Sequence, residues 1–196
     1  MDTSTARVAL AALALLAPVL VGCGGDDGTD GSGGGGGGGG GVPEIEAAAL
    51  GTPVDIEFLS SEAGNAVQGP GTVTITAVRE GAIKDLTDAG YQLDPEEAAT
   101  TPFYVDVTFQ NNADAPVDLR SPSGRDQDGT LISSLILLDL GSGPGFAPCP
   151  KVPQTLAAGE SVKGCSIILM REGSTLERVS YHVGGTEGFL YWESGL

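Results

Sequence analysis

An all-β antiparallel sandwich is the fold class this sequence predicts, and three observations predict it. Apolar and polar residues alternate over Phe103–Phe109, the period of a strand with one buried face. About seven to eight such short runs follow one another from residue 53 onward, separated by turn residues. The 32 glycines and 12 prolines among 196 residues disfavour a mostly helical chain.

The elements can be justified in order. Pro53–Phe58 puts Val54, Ile56 and Phe58 on one face and Asp55 and Glu57 on the other. Thr72–Val78 sets Val73, Ile75 and Ala77 against three threonines. The long connection Gly81–Pro102 holds a single helical turn: Asp94 stands at the N-cap, Pro95 at the first helical position, and Glu96 and Glu97 in the first turn. Phe103–Phe109 then sets Phe103, Val105, Val107 and Phe109 inward and Tyr104, Asp106 and Thr108 outward. Asn111–Pro116 is rich in turn formers, and Val117–Leu119 is a short strand after it. Ser121–Thr130 reads as a loop. Leu131–Leu140 contains Leu135-Ile136-Leu137-Leu138, an apolar run suited to a central strand. Ala157–Glu160 is a turn before the strand Ser161–Met170, and Leu176–Val183 and Phe189–Trp192 complete the set.

Upstream, residues 1–22 form a signal peptide. Arg7 supplies the positive charge, and Val8–Val21 is uncharged. That run is shorter than the roughly 20 residues a spanning helix needs and matches the apolar core of an export signal. It ends in Leu20-Val21-Gly22-Cys23, which resembles the lipobox of bacterial lipoproteins. That resemblance implies cleavage between Gly22 and Cys23 and a diacylglycerol thioether on Cys23. Two acyl chains give stable attachment where one is marginal. Residues 23–51 then form a tether, with unbroken glycine from Gly33 to Gly41. A Gly-rich coil of this length spans roughly 30 Å. Residues 52–196 form the sandwich domain.

The formal net charge is −17, from 9 basic and 26 acidic residues. Without a basic patch the chain is a poor nucleic-acid binder, because phosphate contacts need Lys and Arg. With Cys23 lipidated, Cys149 and Cys165 remain as an even pair in an exported chain, which favours a disulfide. A hairpin folded at the Ala157–Glu160 turn would bring them opposite each other. One histidine leaves little for histidine-based catalysis or transition metals. His182 alternates with Arg178 and Ser180 and is expected to face solvent. Asp126-Gln127-Asp128-Gly129 hints at calcium, but Gly124 and Leu135 fall at positions 1 and 12 of an EF-hand frame, where ligands are required. Tyr191-Trp192 fits an aromatic packed into the sandwich better than a ligand platform. No catalytic residue, metal site or cofactor is assigned.

Three stretches carry a wider resemblance: Thr101–Asn111, Leu156–Gly164 and Val179–Tyr181. They resemble the immunoglobulin-like domain of a secreted-lipoprotein family of Gram-positive bacteria related to the mycobacterial immunoprotective extracellular antigen. The likeness covers about residues 53–193. It implies a non-enzymatic immunoglobulin-like sandwich and carries over no catalytic set. The expectation is a lipid-anchored binding module on the extracytoplasmic face of the cell membrane, meeting an envelope protein or wall component. An envelope hydrolase is the alternative. Basic or neutral partners are expected, contacting the Gly81–Pro102 or Ser121–Thr130 connection.

Overall fold

The computed structural model describes residues 46–60, 64, 66–138, 145–183 and 188–196. The expected signal peptide, the expected cleavage point between Gly22 and Cys23, the expected lipidation of Cys23 and the Gly33–Gly41 run lie outside these residues.

The described elements are β1 (Val54–Leu59), β2 (Val67–Glu80), α1 (Ile83–Asp88), α2 (Pro95–Ala98), β3 (Thr100–Asn111), β4 (Val117–Asp118), β5 (Ser123–Asp126), β6 (Leu131–Ile132), β7 (Ser134–Leu135), β8 (Thr155–Leu156), β9 (Ser161–Arg171), β10 (Leu176–His182) and β11 (Phe189–Glu193). They form an all-β sandwich. One sheet runs β1-β2-β3-β9-β7, the other β11-β10-β5-β6, and β4 and β8 pair as a small ribbon. All pairings between these strands are antiparallel. The strand count exceeds the sequence reading because the stretch from Leu131 divides into two strands, the expected Ser121–Thr130 loop holds β5, and the two-residue β8 has no room to show a period.

Period two explains the core. Val105, Val107 and Phe109 of β3 and Ile168 and Met170 of β9 are at most 1% exposed, and they pack on Val179, Tyr181 and Trp192 from the opposite sheet. Asn111, fully buried at the end of β3, pins two turns. Its side-chain nitrogen faces the carbonyls of Ala115, Leu156 and Ala157 at 2.8–3.1 Å, while its oxygen accepts the Ala113 amide at 2.9 Å. A buried amide with every polar atom engaged fixes its surroundings.

Several expectations change. A register shift between Ile75 and Ala77 is a β-bulge, and a bulge reverses the alternation beyond it. Val78, not Ala77, therefore packs against the core, and Arg79 reaches the outer face. The Leu131–Leu138 run is not a central strand. It splits into β6 and β7 at the edges of different sheets, leaving Ile136 75% and Leu138 69% exposed. Conversely, the polar Ser123–Asp126 stretch is not a loop but an internal strand. Gly124 lets it lie under Leu176 and Ile168, since a Cβ there would come within 2.7–2.9 Å of those side chains. Arg125 stacks over Phe189 and Tyr191 at 5.3 and 5.4 Å.

The Gly81–Pro102 connection holds two helices where one was expected. The Asp94 turn forms as read: its carboxylate accepts the Glu96 and Glu97 amides, both at 2.8 Å. The unforeseen α1 buries Leu86 against the outer face of the large sheet. Ala48 and Leu50, assigned to the tether from sequence, belong to the fold. Ala48 bridges Trp192 in parallel, its amide donating to the Tyr191 carbonyl at 2.8 Å, and Leu50 packs on the core.

Candidate functional site: an acidic cleft and a disulfide edge

One end of the sandwich opens into a cleft of about 710 Å³. Four strands converge on it: β2 ends in Glu80, β3 begins with Thr101 and Phe103, β10 begins with Leu176 and Glu177, and β11 ends in Glu193. Phe103 and Leu176 are almost wholly buried and give the wall its apolar part. Gln127 and Thr175 close one side, with the Thr175 amide and hydroxyl donating to Gln127 Oε1 at 2.9 and 3.3 Å. Glu193 is held by Arg178 at 3.3 Å. Among the described lining residues every charged side chain is a glutamate, so the cleft favours cations and disfavours anions. Strand ends position these carboxylates rigidly while water still reaches them. No sequence motif marked the cleft. The available signal was that Glu80, Glu177 and Glu193 each sit at the end of an alternating run. Both connections expected to bind partners contribute to its lining, through Thr101 and Gln127.

Cys149 and Cys165 are joined, with their Cα atoms 5.0 Å apart. The route differs from the expected hairpin. β8 leaves to pair with β4 instead of folding back on β9, and Lys151 bridges Cys165 in parallel. The Cys165 amide donates to the Pro150 carbonyl at 2.7 Å. The proline-rich segment around Cys149 is thus an irregular edge beside β9. The disulfide lies in a second cluster on the sheet's outer face with Leu86, Tyr104, Phe146 and Ile167.

The outer face carries one compact polar group. Arg79 makes two hydrogen bonds to Asp106, both at 2.9 Å, donates to the Pro148 carbonyl at 3.1 Å and covers the Tyr104 ring at 5.5 Å. The hydrogen bond to Asp106 holds the Arg79 guanidinium above its usual pKa, against the opposing effect of burial. Tyr104 donates to Asp85 at 3.1 Å. Burial first, then Asp85, pushes its hydroxyl up to about 12.

The remaining candidates have structural partners. His182 is half-buried rather than facing water: Arg120 lies 3.0 Å from its Nδ1, and Phe189 packs on its ring. Asp126 Oδ1 accepts the Asp128 and Thr130 amides at 3.0 and 2.7 Å, an Asx-type turn that uses the carboxylate considered for calcium. Trp192 is fully buried in the core.

No protein-family model matches the chain, and no curated protein and no solved structure matches it. Among the described residues no helix is long and apolar enough to cross a membrane, which does not bear on a lipid anchor at Cys23.

Proposed function

We propose that the chain is a lipid-anchored binding module of the bacterial cell envelope, which presents its acidic end cleft to a basic partner on the extracytoplasmic side. The cleft is the observation that carries this reading. It combines an apolar wall with rigidly placed glutamates, which suits recognition of a basic, partly apolar segment. Its glutamates stand at the ends of three different strands. The lipobox at Cys23 and the glycine run supply the anchor and the reach.

The test is site-specific photocrosslinking in intact cells from a probe at Ser174, on the cleft rim. Crosslinks that weaken with added salt and vanish in Glu80→Lys/Glu177→Lys are expected, while Cys23→Ala releases the protein from the membrane fraction. Crosslinks unchanged by charge reversal would overturn the cleft as the site. Membrane retention of Cys23→Ala would overturn the anchor.

A further inference from the structure

The last strand of the five-stranded sheet, β7, is followed by an apolar segment that the fold covers on one side alone. β7 pairs with Ile167 and Ile168 of β9. Two residues before Ile167, Lys151 bridges Cys165 instead, so the chain leaves the ladder after Leu135. Among the described residues no backbone–backbone hydrogen bond engages Ile136, Leu137 or Leu138. The side chains nevertheless keep the alternation of a strand. Leu135 and Leu137 are half-buried and pack on the outer-face cluster of Tyr104, Phe146 and Ile167. Ile136 and Leu138 stand largely exposed.

Backbone, side chains and charge together say what would cover this segment. A strand apolar on both faces is the pattern of one enclosed on both faces, and here one face lacks its cover. An exposed apolar edge with unpaired N–H and C=O groups is a template for another strand. A bilayer does not meet that need, because hydrocarbon cannot satisfy open backbone groups. Charge narrows the partner further. Between Asp128 and Lys151 the sequence holds a single charged residue, Asp139, in a chain of net charge −17. A basic partner is drawn to the glutamates of the end cleft, and an acidic one is repelled by the chain as a whole. What fits is a neutral, extended, apolar segment, and every copy of this chain carries one.

We propose that Ser134–Leu138 is a self-association edge, at which two copies of the chain pair antiparallel about a two-fold axis perpendicular to the sheet they share. Such an interface is isologous, the same residues meeting on both copies. Under that symmetry Ile136 and Leu138 of both copies fall on one face, where they form cross-strand aliphatic pairs. Inter-chain hydrogen bonds engage the open backbone groups at the same time. The edge is short, so the association is weak, and the like charge of the two copies opposes it. It therefore tightens as salt screens that repulsion, whereas binding at the end cleft weakens with salt. The inference does not rest on the function proposed for the cleft.

The full chain is followed by sedimentation equilibrium over a series of protein concentrations, at low and at moderate salt. A reversible monomer–dimer equilibrium that tightens with salt is expected. Ile136→Lys/Leu138→Lys should weaken it by about a hundredfold, because aliphatic contacts are lost and like charges meet across the axis. Val67→Lys, at another exposed aliphatic position, should leave it unchanged. Both variants should keep the parent's thermal midpoint, since the replaced side chains are exposed. Amide exchange gives a second reading on the parent chain alone: the Ser134–Leu138 amides should slow as dimer accumulates, while those of β1, at the other edge of the sheet, should not. A monomer under every condition, an association untouched by Ile136→Lys/Leu138→Lys, or exchange at Ser134–Leu138 that does not slow with concentration overturns the proposal.

Discussion

The two faces of the five-stranded sheet are closed by different means. The inner face is closed mainly by strands: Val73, Ile75, Val105, Val107, Phe109 and Ile168, each at most 1% exposed, meet the side chains of the second sheet. The outer face is closed by pieces that are not strands. Leu86 comes from α1, and Phe146 and Cys149 come from an irregular segment, all packed over Tyr104, Cys165 and Ile167. A regular element presents its apolar groups at fixed intervals and needs no further tie. An irregular cover pays a larger ordering cost per contact, and here a disulfide ties it to β9. The contrast teaches where covalent reinforcement is useful: at the cover, not in the core.

Truncating the inner face should have the largest effect. Phe109 is fully buried, with Phe58 and Tyr181 rings at 6.5 and 5.6 Å. Phe109→Ala should cost about 3–5 kcal/mol, read by urea denaturation, and it should weaken every strand together. A loss under about 1 kcal/mol would mean that the two sheets do not depend on this contact. The outer face comes next. Replacing both Cys149 and Cys165 with Ala removes a cross-link between positions 16 apart, worth roughly 3 kcal/mol in the chain-entropy model. Here the loss should be uneven: amide exchange should accelerate first around Phe146–Val152, while β3 stays protected. Uniform acceleration would erase the distinction between cover and core.

That distinction also explains what could be read from sequence. The inner face was legible because Phe103–Phe109 is long enough to display period two. Trp192 was legible as core because it ends a strand. The Asp94 turn was legible because a cap is a local arrangement of side chain and amide. The outer cover was not legible. Leu86 is a lone buried apolar residue in a short helix, too little for a moment to emerge, and Tyr104 looked solvent-facing because α1 and Phe146 arrive from far along the chain. β5 was missed for a related reason. Its residues are polar or glycine, and what makes it internal is Gly124 under Leu176 and Arg125 over two rings, both long-range facts. The cleft glutamates come from three separate strands, so no spacing could reveal them. The cysteine pairing followed from counting, whereas its route along a parallel bridge depended on where β8 goes.

A smaller effect sharpens the comparison through one tyrosine on each face. Tyr181, on the inner side, is pushed up to about 12 by burial, with Arg120 opposing. Tyr104, on the outer side, reaches about 12 through burial and then its bond to Asp85. An unfolded tyrosine titrates near 10, so between about pH 10 and 12 the folded chain holds protons that the unfolded chain has released. Stability from both groups is therefore complete below pH 10 and falls as pH rises through 12. Tyr181→Phe and Tyr104→Phe should each flatten that alkaline decline, seen as a smaller drop in thermal midpoint from pH 9 to 11. The Tyr104→Phe effect should shrink further when the disulfide is absent, because the cover that desolvates the ring is then loosened. The Tyr181→Phe effect should not change. Equal responses to disulfide loss would mean that one cooperative core spans both faces.

The smallest expected effect concerns α2, the part of the outer connection that covers nothing. Asp94 accepts two amides, and Glu97 returns a bond to the Asp94 amide at 2.9 Å, a reciprocal capping box. Removing such a cap costs typically about 1 kcal/mol when the helix it starts is built into the fold. No residue of α2 is buried, so its fraying transmits little to the sheet. Asp94→Ala should therefore fall at the low end, about 0.5 kcal/mol, with Asp94→Asn close to the parent because the amide oxygen still accepts. Leu86→Ala in α1 is the contrasting control, since it empties a fully buried position and should cost about 2–5 kcal/mol. If Asp94→Ala instead approached Leu86→Ala in urea denaturation, α2 would have to be part of the cover. The outer face would then be one continuous structure from Gly81 to Pro102, not a single anchored helix followed by a solvent-facing turn.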